Sequence, residues 1–319
     1  MSDQPVHAPG AVPQPVHAEF ATTLELMPDL SLTHETVVHV RELLAAMVPS
    51  TPSDKLTRTD HVVDEAHGIV VRVHDPGASG APRPCVYSIH GGGYVLGNRF
   101  MDDDRLAPWC LALGCVGASV EYRLAPEHPY PAALDDCYAG LRWVHEHADE
   151  LGIDPQRTGI AGLSAGGGLA AALALCARDR AELPVAFQLL DSPMIDDRQH
   201  TPSSRSDGLP VWSRESNTFG WRSYLGDLYG RDDVPAHAAA ARATDLSGLP
   251  PAFVCVGTVD GFRDENVEYA TRLNQAGVPT ELHVYPGAPH GFGVFSQTAV
   301  ARQANQDIER WLGARFSAA

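Results

Sequence analysis

The sequence has 319 residues, of which 44% are hydrophobic and 20% are charged. This hydrophobic share is enough for a sizeable core, so the composition excludes a largely disordered chain. The chain carries 23 Lys and Arg residues against 40 Asp and Glu residues, a net charge of −17. A surface this acidic repels phosphate groups, and nucleic acid is therefore excluded as an expected partner.

No segment is apolar over the roughly 18 residues that a membrane span needs, and the first twenty residues lack the pattern of a secretion signal. The sequence therefore predicts a soluble, cytoplasmic protein. Six cysteines lie in apolar stretches without a CxxC pair. They are predicted to be buried free thiols that form neither disulfides nor a metal site.

The N-terminal part is predicted to be a tail followed by helices. Residues 1–18 contain the pentapeptide QPVHA twice, and a Pro-rich segment of this kind is typical of a flexible tail. From 19 to 52 the pattern is helical, with Leu43 and Leu44 on one face, and it ends at the proline-rich run at 49–52.

The rest of the chain alternates strands and helices. A strand pair is predicted over 61–74, followed by short apolar strands at 85–89, 115–120, 158–163, 185–190, 252–256 and 280–285. Helices are predicted near 101–113, 132–149, 165–179, 264–276 and 297–315. This alternation is typical of a mostly parallel sheet with helices on both faces. Residues 195–242 break the rhythm and predict an insertion whose aromatic side chains either line a pocket or pack the insertion itself.

The pentapeptide GLSAG at 162–166 lies between a predicted strand and a predicted Ala-rich helix. Glycines two positions before and after Ser164 permit the tight strand-to-helix turn that exposes a nucleophilic hydroxyl. The pattern by itself is weak, and a glycine-rich turn with an ordinary serine is the alternative. The two flanking elements favour a nucleophile.

The run HGGG at 90–93 ends another predicted strand. Amides without side chains can approach the oxygen that becomes negative during acyl transfer, so the run predicts an oxyanion hole. We assign Gly91, Gly92, Gly93 and Ala165 to it, with the amides of the last three as donors. A phosphate-binding loop is the alternative, but the lysine of a P-loop is missing.

A serine nucleophile needs a base and a carboxylate that orients the base. His290 follows the last predicted strand by a short loop and is predicted to be the base. Asp260 follows the preceding strand and is predicted to be the orienting acid. Asp264 and Glu265 are rivals, although acidic residues at that point are typical of the first turn of a helix. The chain order Ser164, Asp260, His290 is the order found in α/β-hydrolases.

Together these motifs resemble the hormone-sensitive-lipase-like branch of the α/β-hydrolases, the bacterial carboxylesterases with an HGGG motif. The matching segments are YRLAPE at 122–127, SAGG at 164–167, the acid segment at 260–265 and HGF at 290–292. Two shorter stretches, AFQ at 186–188 and RATDL at 242–246, look like the bacterial heroin-esterase type of acetyl esterase. The resemblance implies an α/β-hydrolase domain over 53–319 with an eight-stranded, mostly parallel sheet. It also implies a helical cap made from residues 19–52 and the insertion at about 195–242.

The activity implied by the resemblance is that of a serine carboxylesterase, which cleaves short to medium acyl esters through an acyl-enzyme. Its expected partner is a small-molecule ester, and the resemblance leaves open a homodimer paired through sheet edges. No cofactor and no metal are implied. The acidic run at 102–104 and the segment HEH at 145–147 are interpreted as solvated helix faces or caps, because neither has a metal-ligand spacing.

Four side chains are expected to contact the substrate, namely Leu163, Trp212, Phe219 and Phe292. Two positions depart from the family pattern. Leu163 stands where most relatives carry Asp, Glu, Gln or Thr, and an apolar group there is expected to change pocket shape or hydration. Gly261-Phe262 replaces Pro-Leu and is expected to loosen the loop that holds Asp260.

Other functions fit the same residues. A lactonase or a natural-product acyl-processing enzyme shares the triad, and only substrate competition separates it from an esterase. A serine peptidase needs an additional site for an amide leaving group. A non-catalytic ligand-binding protein on this scaffold usually lacks triad members, and none is missing here.

Overall fold

The computed structural model describes residues 15–27, 31–47, 55–77 and 79–317. In these ranges eight strands form one sheet: β1 (Thr57–Asp64), β2 (Ile69–Asp75), β3 (Arg83–Ile89), β4 (Val116–Glu121), β5 (Ile153–Leu163), β6 (Gln188–Asp191), β7 (Ala252–Val259) and β8 (Thr280–Pro289). Their spatial order is β1-β2-β4-β3-β5-β6-β7-β8. β1 and β2 pair antiparallel with each other and β2 pairs antiparallel with β4, whereas β3 to β8 run parallel. The eight-stranded, mostly parallel sheet of the prediction is confirmed.

Helices cover both faces of this sheet. They are α1 (Ala21–Leu26), α2 (Val37–Met47), α3 (Asp103–Leu113), α4 (Ala132–Glu146), α5 (Ala148–Leu151), α6 (Ala165–Arg180), α7 (Arg214–Leu225), α8 (Arg263–Gln275) and α9 (Ala299–Ser317). One core cluster contains the buried side chains of α4, α6 and α8, and a second contains those of α3 and α9. Because both faces are covered, β3 is buried along its whole length, which explains its mostly apolar sequence, RPCVYSI.

The predicted elements are found with shifted ends. The predicted helix over 132–149 is two helices, α4 and α5, and the strand predicted over 185–190 begins at Gln188. Residues 1–14 of the predicted tail and the predicted stop at 49–52 lie outside the described residues. His17, at the end of the predicted tail, donates its amide to the carbonyl of Gly287. None of the helices within the described ranges is long and apolar enough to cross a membrane.

The predicted insertion contains α7 and several short 3-10 turns. Two of its aromatic residues, Trp221 and Tyr224, are buried and pack against Tyr94, with ring centroids 5.2 and 4.0 Å from that ring. These side chains therefore hold the insertion on the sheet. Trp212 is different, because it lies beside the candidate site described next.

Candidate active site

Ser164 lies at the sharp turn between β5 and α6. Its backbone φ is 59° and its ψ is −122°, a strained conformation for a residue with a side chain. A Cβ on Gly162 would lie 2.1 Å from the carbonyl oxygen of Gly166, and a Cβ on Gly166 would lie 1.9 Å from that of Ile89. Only glycine fits at these two positions, so the turn packs directly against the strand that leads into the HGGG run.

Three buried side chains form a continuous hydrogen-bonded chain. The hydroxyl of Ser164 lies 2.8 Å from Nε2 of His290, and Nδ1 of His290 lies 2.8 Å from Oδ2 of Asp260. All three residues are at most 6% exposed. The residues that the sequence singled out as nucleophile, base and acid thus converge from the ends of three strands, although 126 positions separate Ser164 from His290.

The loop that carries Asp260 is held closely. The amide of Phe262 donates to Oδ1 of Asp260 at 2.9 Å, and the Phe262 ring packs edge-on against the His290 imidazole with 5.0 Å between centroids. Phe262, one of the two residues that depart from the family pattern here, thus supplies two contacts that restrain Asp260 and His290. The apolar type of Phe262 gives no signal in the sequence of this contact with His290.

The two rival acids open α8, as predicted. Asp264 accepts the amide of Ser203 at 2.7 Å. Glu265 accepts the amides of Ile195 and Asp196, and burial raises its pKa well above the usual value, so that the neutral carboxyl is favoured. Both side chains thus bind the start of the insertion.

The loop that follows β3, residues 90–96, is called the oxyanion loop here, and it provides free donors. Gly92 and Gly93 have φ angles of 115° and 60°, which glycine adopts without strain. Within the described part of the chain, neither amide donates to a protein acceptor. Ala165 is buried at the first position of α6, directly after the nucleophile. These groups can therefore take a negatively charged oxygen of a ligand.

His90 orients the first peptide of the HGGG run. Its Nδ1–H donates to the carbonyl of Gly91 at 2.8 Å, and its ring stacks on Tyr122 with 4.2 Å between centroids. The Tyr122 hydroxyl donates in turn to the carbonyl of His90 at 2.9 Å. Burial lowers the pKa of His90, which favours the neutral ring. Because the carbonyl of Gly91 and the amide of Gly92 share one peptide plane, fixing the carbonyl also fixes the amide.

The four expected substrate contacts lie in different environments. Leu163 is partly exposed at the end of β5. The Trp212 ring covers Gly93, because a Cβ on that glycine would lie 2.2 Å from the ring. The centroid of the Trp212 ring lies 6.5 Å from that of the His290 ring. Phe219 packs edge-on against His34 in a surface pocket of about 320 Å³. Phe292 is 1% exposed and packs on Tyr285 in the core, so its side chain offers no surface to a substrate.

The acidic run at 102–104, interpreted as a solvated helix face or cap, lies at the start of α3 as a cap does, but two of its three side chains are not solvated. Asp102 and Asp103 are buried, and Asp103 forms an ion pair with Arg72 at 3.0 Å. Within the described ranges, no group of three or more His, Cys, Asp or Glu side chains is arranged to hold a metal ion.

Comparison with known proteins agrees with this architecture. A family model described as the alpha/beta hydrolase fold matches residues 86–294. The chain is 40% identical to carboxylesterase NlhH of Mycobacterium tuberculosis over 231 residues, which is 72% of each chain. It is 33% identical to the ethyl acetate hydrolase of Pseudomonas putida over 236 residues, again 72% of each chain.

Among solved structures, a bacterial heroin esterase superimposes with a TM-score of 0.89 and 37% sequence identity, covering 94% of this chain and 98% of that one. The fold, the motifs and these similarities agree with one another. The chain therefore belongs to the hormone-sensitive-lipase-like branch of the α/β-hydrolase family and is a carboxylic ester hydrolase.

Proposed function

We propose that this hydrolase cleaves short to medium acyl esters through an acyl-enzyme on Ser164, with His290 as the base and Asp260 as the orienting acid. The observation that carries the proposal is the unbroken hydrogen-bonded chain through these three side chains, beside two amides that have no protein acceptor among the described residues. A serine hydroxyl is a weak nucleophile until a positioned base takes its proton, and this geometry supplies that base.

In the first half of the reaction, His290 Nε2 takes the Ser164 proton while Oγ attacks the ester carbonyl. The tetrahedral intermediate collapses, the bond to the alkoxy oxygen breaks, and His290 returns the proton to the departing alcohol. In the second half, a water molecule gives a proton to His290 and attacks the acyl carbon, the bond from that carbon to Ser164 Oγ breaks, and His290 returns the proton to Oγ, which releases the acid and restores Ser164. Asp260 accepts the Nδ1–H of His290 throughout, which fixes the tautomer and stabilises the imidazolium.

The negative oxygen of both tetrahedral intermediates is assigned to the amides of Gly92, Gly93 and Ala165, with Gly91 supplying the peptide that His90 orients. Loss of one such donor typically costs about 10²- to 10³-fold in kcat. The donors are backbone groups, so substitutions test them only through the peptides that carry them.

The preference for short chains is supported by Trp212, whose ring covers Gly93 and approaches His290. Its Nε1 donates to Asn217 at 3.3 Å, which restrains the ring. We assign Trp212 and Leu163 as substrate contacts and place Phe292 in the core. The ethyl acetate hydrolase among the relatives is named for a short ester.

A labelling experiment tests the nucleophile. A fluorophosphonate probe is expected to modify the protein once, and peptide mass analysis is expected to place the adduct on Ser164. Ser206, a partly exposed serine, provides the matched control, because S206A is expected to label like the wild type. Labelling that persists in S164A, or no labelling of the folded wild type, contradicts the assignment.

A series of p-nitrophenyl esters from acetate to palmitate tests the substrate range, with lactones and aminoacyl p-nitroanilides as parallel substrates. We expect kcat/KM to be highest at acetate or butyrate. A maximum above about ten carbons contradicts the proposed range, and faster lactone cleavage favours the lactonase alternative. Trp212→Ala is expected to raise the ratio of octanoate to acetate cleavage about tenfold. Trp143→Ala, on α4, is the matched control and is expected to leave that ratio unchanged.

Two further features are proposed for the protein in its natural setting. β8 ends the sheet, and within the described ranges no strand pairs with its outer edge, which supports a homodimer paired through this edge. Light scattering behind gel filtration tests this, and a monomer mass at every concentration contradicts it.

All six cysteines are buried free thiols, which supports a cytoplasmic location, to be checked by cell fractionation. The acidic surface supports small-molecule partners over nucleic acid.

A further inference from the structure

The side chain of Arg41, on helix α2, forms a hydrogen bond with the oxyanion loop. Its Nε donates to the carbonyl of Val95 at 2.7 Å, and its Nη2 donates to the carbonyl of Ala125 at 2.8 Å. The same guanidinium forms two bonds of 2.8 Å with the carboxylate of Glu127. One side chain from the N-terminal helices therefore binds two other segments of the chain.

The two carbonyls that Arg41 binds lie next to amides that hold the oxyanion loop: the carbonyl of Val95 shares its peptide with the amide of Leu96, and the carbonyl of Ala125 lies on the same residue as the amide that bonds to Tyr94. The amides of Val95 and Leu96 donate to the carbonyl of Gly92 at 3.0 and 2.8 Å. The amide of Ala125 donates to the carbonyl of Tyr94 at 3.0 Å. Arg41 thus binds carbonyl groups that adjoin the backbone hydrogen bonds from Leu96 and Ala125 to the loop.

This loop needs such support because its backbone is strained. Gly92, Gly93 and Tyr94 follow one another with φ angles of 115°, 60° and 66°. The left-handed region is easy for glycine but unfavourable for a residue such as tyrosine, which keeps this conformation only where its surroundings fix it. From inside the protein, the Tyr94 hydroxyl donates to the carbonyl of Met194 at 2.7 Å. Arg41 acts on the next residue of the loop from the opposite, partly exposed side.

We propose that Arg41 is a positioning residue that fixes the oxyanion loop from the cap side, so that the amides of Gly92 and Gly93 are aimed before the substrate arrives. The inference rests on the proposed function of those amides. Since an oxyanion forms only after attack on the carbonyl, the contribution of Arg41 appears in the chemical step and leaves substrate binding largely unchanged.

The experiment compares three variants on p-nitrophenyl butyrate. Arg41→Met keeps the length of the side chain and removes every donor. Glu127→Gln weakens the ion pair but leaves the bond from Arg41 to Val95 in place. Arg231→Met is the matched control, because Arg231 forms a similar two-bond pair with Asp233 in the insertion, on the exposed surface.

We expect R41M to lower kcat about tenfold and to change KM less than twofold, since a displaced oxyanion donor affects mainly the transition state. The affinity for a boronic acid, which forms a tetrahedral adduct on the serine, is expected to fall by the same factor. The uncleaved amide analogue of the substrate is expected to bind as before. R41K, which retains a single charged donor, is expected to recover part of the loss, and R231M is expected to match the wild type.

The order of the variants separates positioning from a stabilising ion pair. Positioning predicts a larger loss of kcat in R41M than in E127Q. Equal losses in the two, or a change confined to KM or to thermal stability, overturn the inference. The wild type distinguishes this outcome from failure of the proposed function: an inactive, unlabelled wild type rejects the function, whereas an active wild type with an equally active, folded R41M rejects only the role of Arg41. If R41M does not fold, R41K takes its place: a larger loss of kcat in R41K than in E127Q supports the inference, and equal losses overturn it.

Discussion

The two halves of the proposed catalytic site are held in place by different means. Around Ser164, lack of space and backbone conformation fix the geometry, with Gly162 and Gly166 packed against main-chain atoms. Around His290, hydrogen bonds and ring contacts fix it, because the amide of Gly287 donates to Thr258 and the Phe262 ring packs on the imidazole. The first half leaves a glycine signature in the sequence, whereas the second leaves almost none.

The largest expected effect removes the nucleophile. Ser164→Ala is expected to lower kcat about 10⁶-fold, since the remaining oxyanion donors and the binding site cannot form an acyl-enzyme. Steady-state hydrolysis of p-nitrophenyl butyrate measures the loss, and circular dichroism checks that the variant is folded. Retention of even a tenth of the activity contradicts the role of Ser164.

The next effect tests the acid side of the comparison. Asp260→Asn keeps the size of the side chain but removes the charge that orients His290, and kcat is expected to fall about 10⁴-fold. Asp264→Asn, at the rival acid, is expected to cost less than tenfold. A reversed order of these two variants in the same assay shows that the acid was assigned to the wrong residue.

The packing of the nucleophile side is tested by Gly166→Ala. The added Cβ would lie 1.9 Å from the carbonyl oxygen of Ile89, so the helix must move away from the strand. The free energy of unfolding is expected to fall by about 3 kcal/mol, as measured in urea. Gly80→Ala meets no atom within 4 Å and is the control, with an expected change within about 0.5 kcal/mol. If the two alanine variants unfold at the same urea concentration, the close contact of helix and strand is not real.

The region around Asp260 and His290 also contains a buried carboxyl group, that of Glu265, for which the neutral form is favoured. Burial raises the pKa of Glu265, so the folded state holds a proton that the unfolded state releases above the ordinary glutamate pKa. The free energy of unfolding therefore falls as the pH rises from the ordinary glutamate pKa towards the raised pKa of the folded state, by up to about 1.4 kcal/mol per pH unit. Glu265→Gln keeps the acceptor for Ile195 and is expected to remove this slope. The control is Glu150→Gln on the exposed surface. A wild-type curve parallel to that of E265Q contradicts the prediction.

The smallest effect concerns the ring beside the base. Phe262→Leu is expected to lower the free energy of unfolding by about 1 kcal/mol and kcat about threefold, because the imidazole loses its edge-on neighbour. Phe253→Leu is a suitable control, since Phe253 stacks on His283 at 5.0 Å, away from the triad. It is expected to lose stability without losing kcat. Equal kcat values for both variants place the orientation of His290 in its hydrogen bonds alone.

Much of the fold was predictable because its causes are local. Continuous apolar runs alternating with helical patterns indicate a parallel sheet covered on both faces, and the structure has that sheet. Chain breaks such as the one between α4 and α5 were missed, since the periodic pattern continues through His147 while the helix does not. The interpretation of Asp102 and Asp103 failed because a charged run indicates solvent unless a distant partner, here Arg72, accompanies it into the interior.

The sequence by itself determined the glycine-dependent parts of the site. The turn at Ser164 and the run at 90–93 require bare backbone, and that requirement is written in consecutive residues. Only the tertiary structure decided which side chains surround these parts. It placed Trp212 on Gly93, Phe292 in the core and Arg41 against Val95, which is 54 positions away in the chain. Contacts over such distances depend on how whole elements pack, and residue type at one position carries no record of the partner it meets.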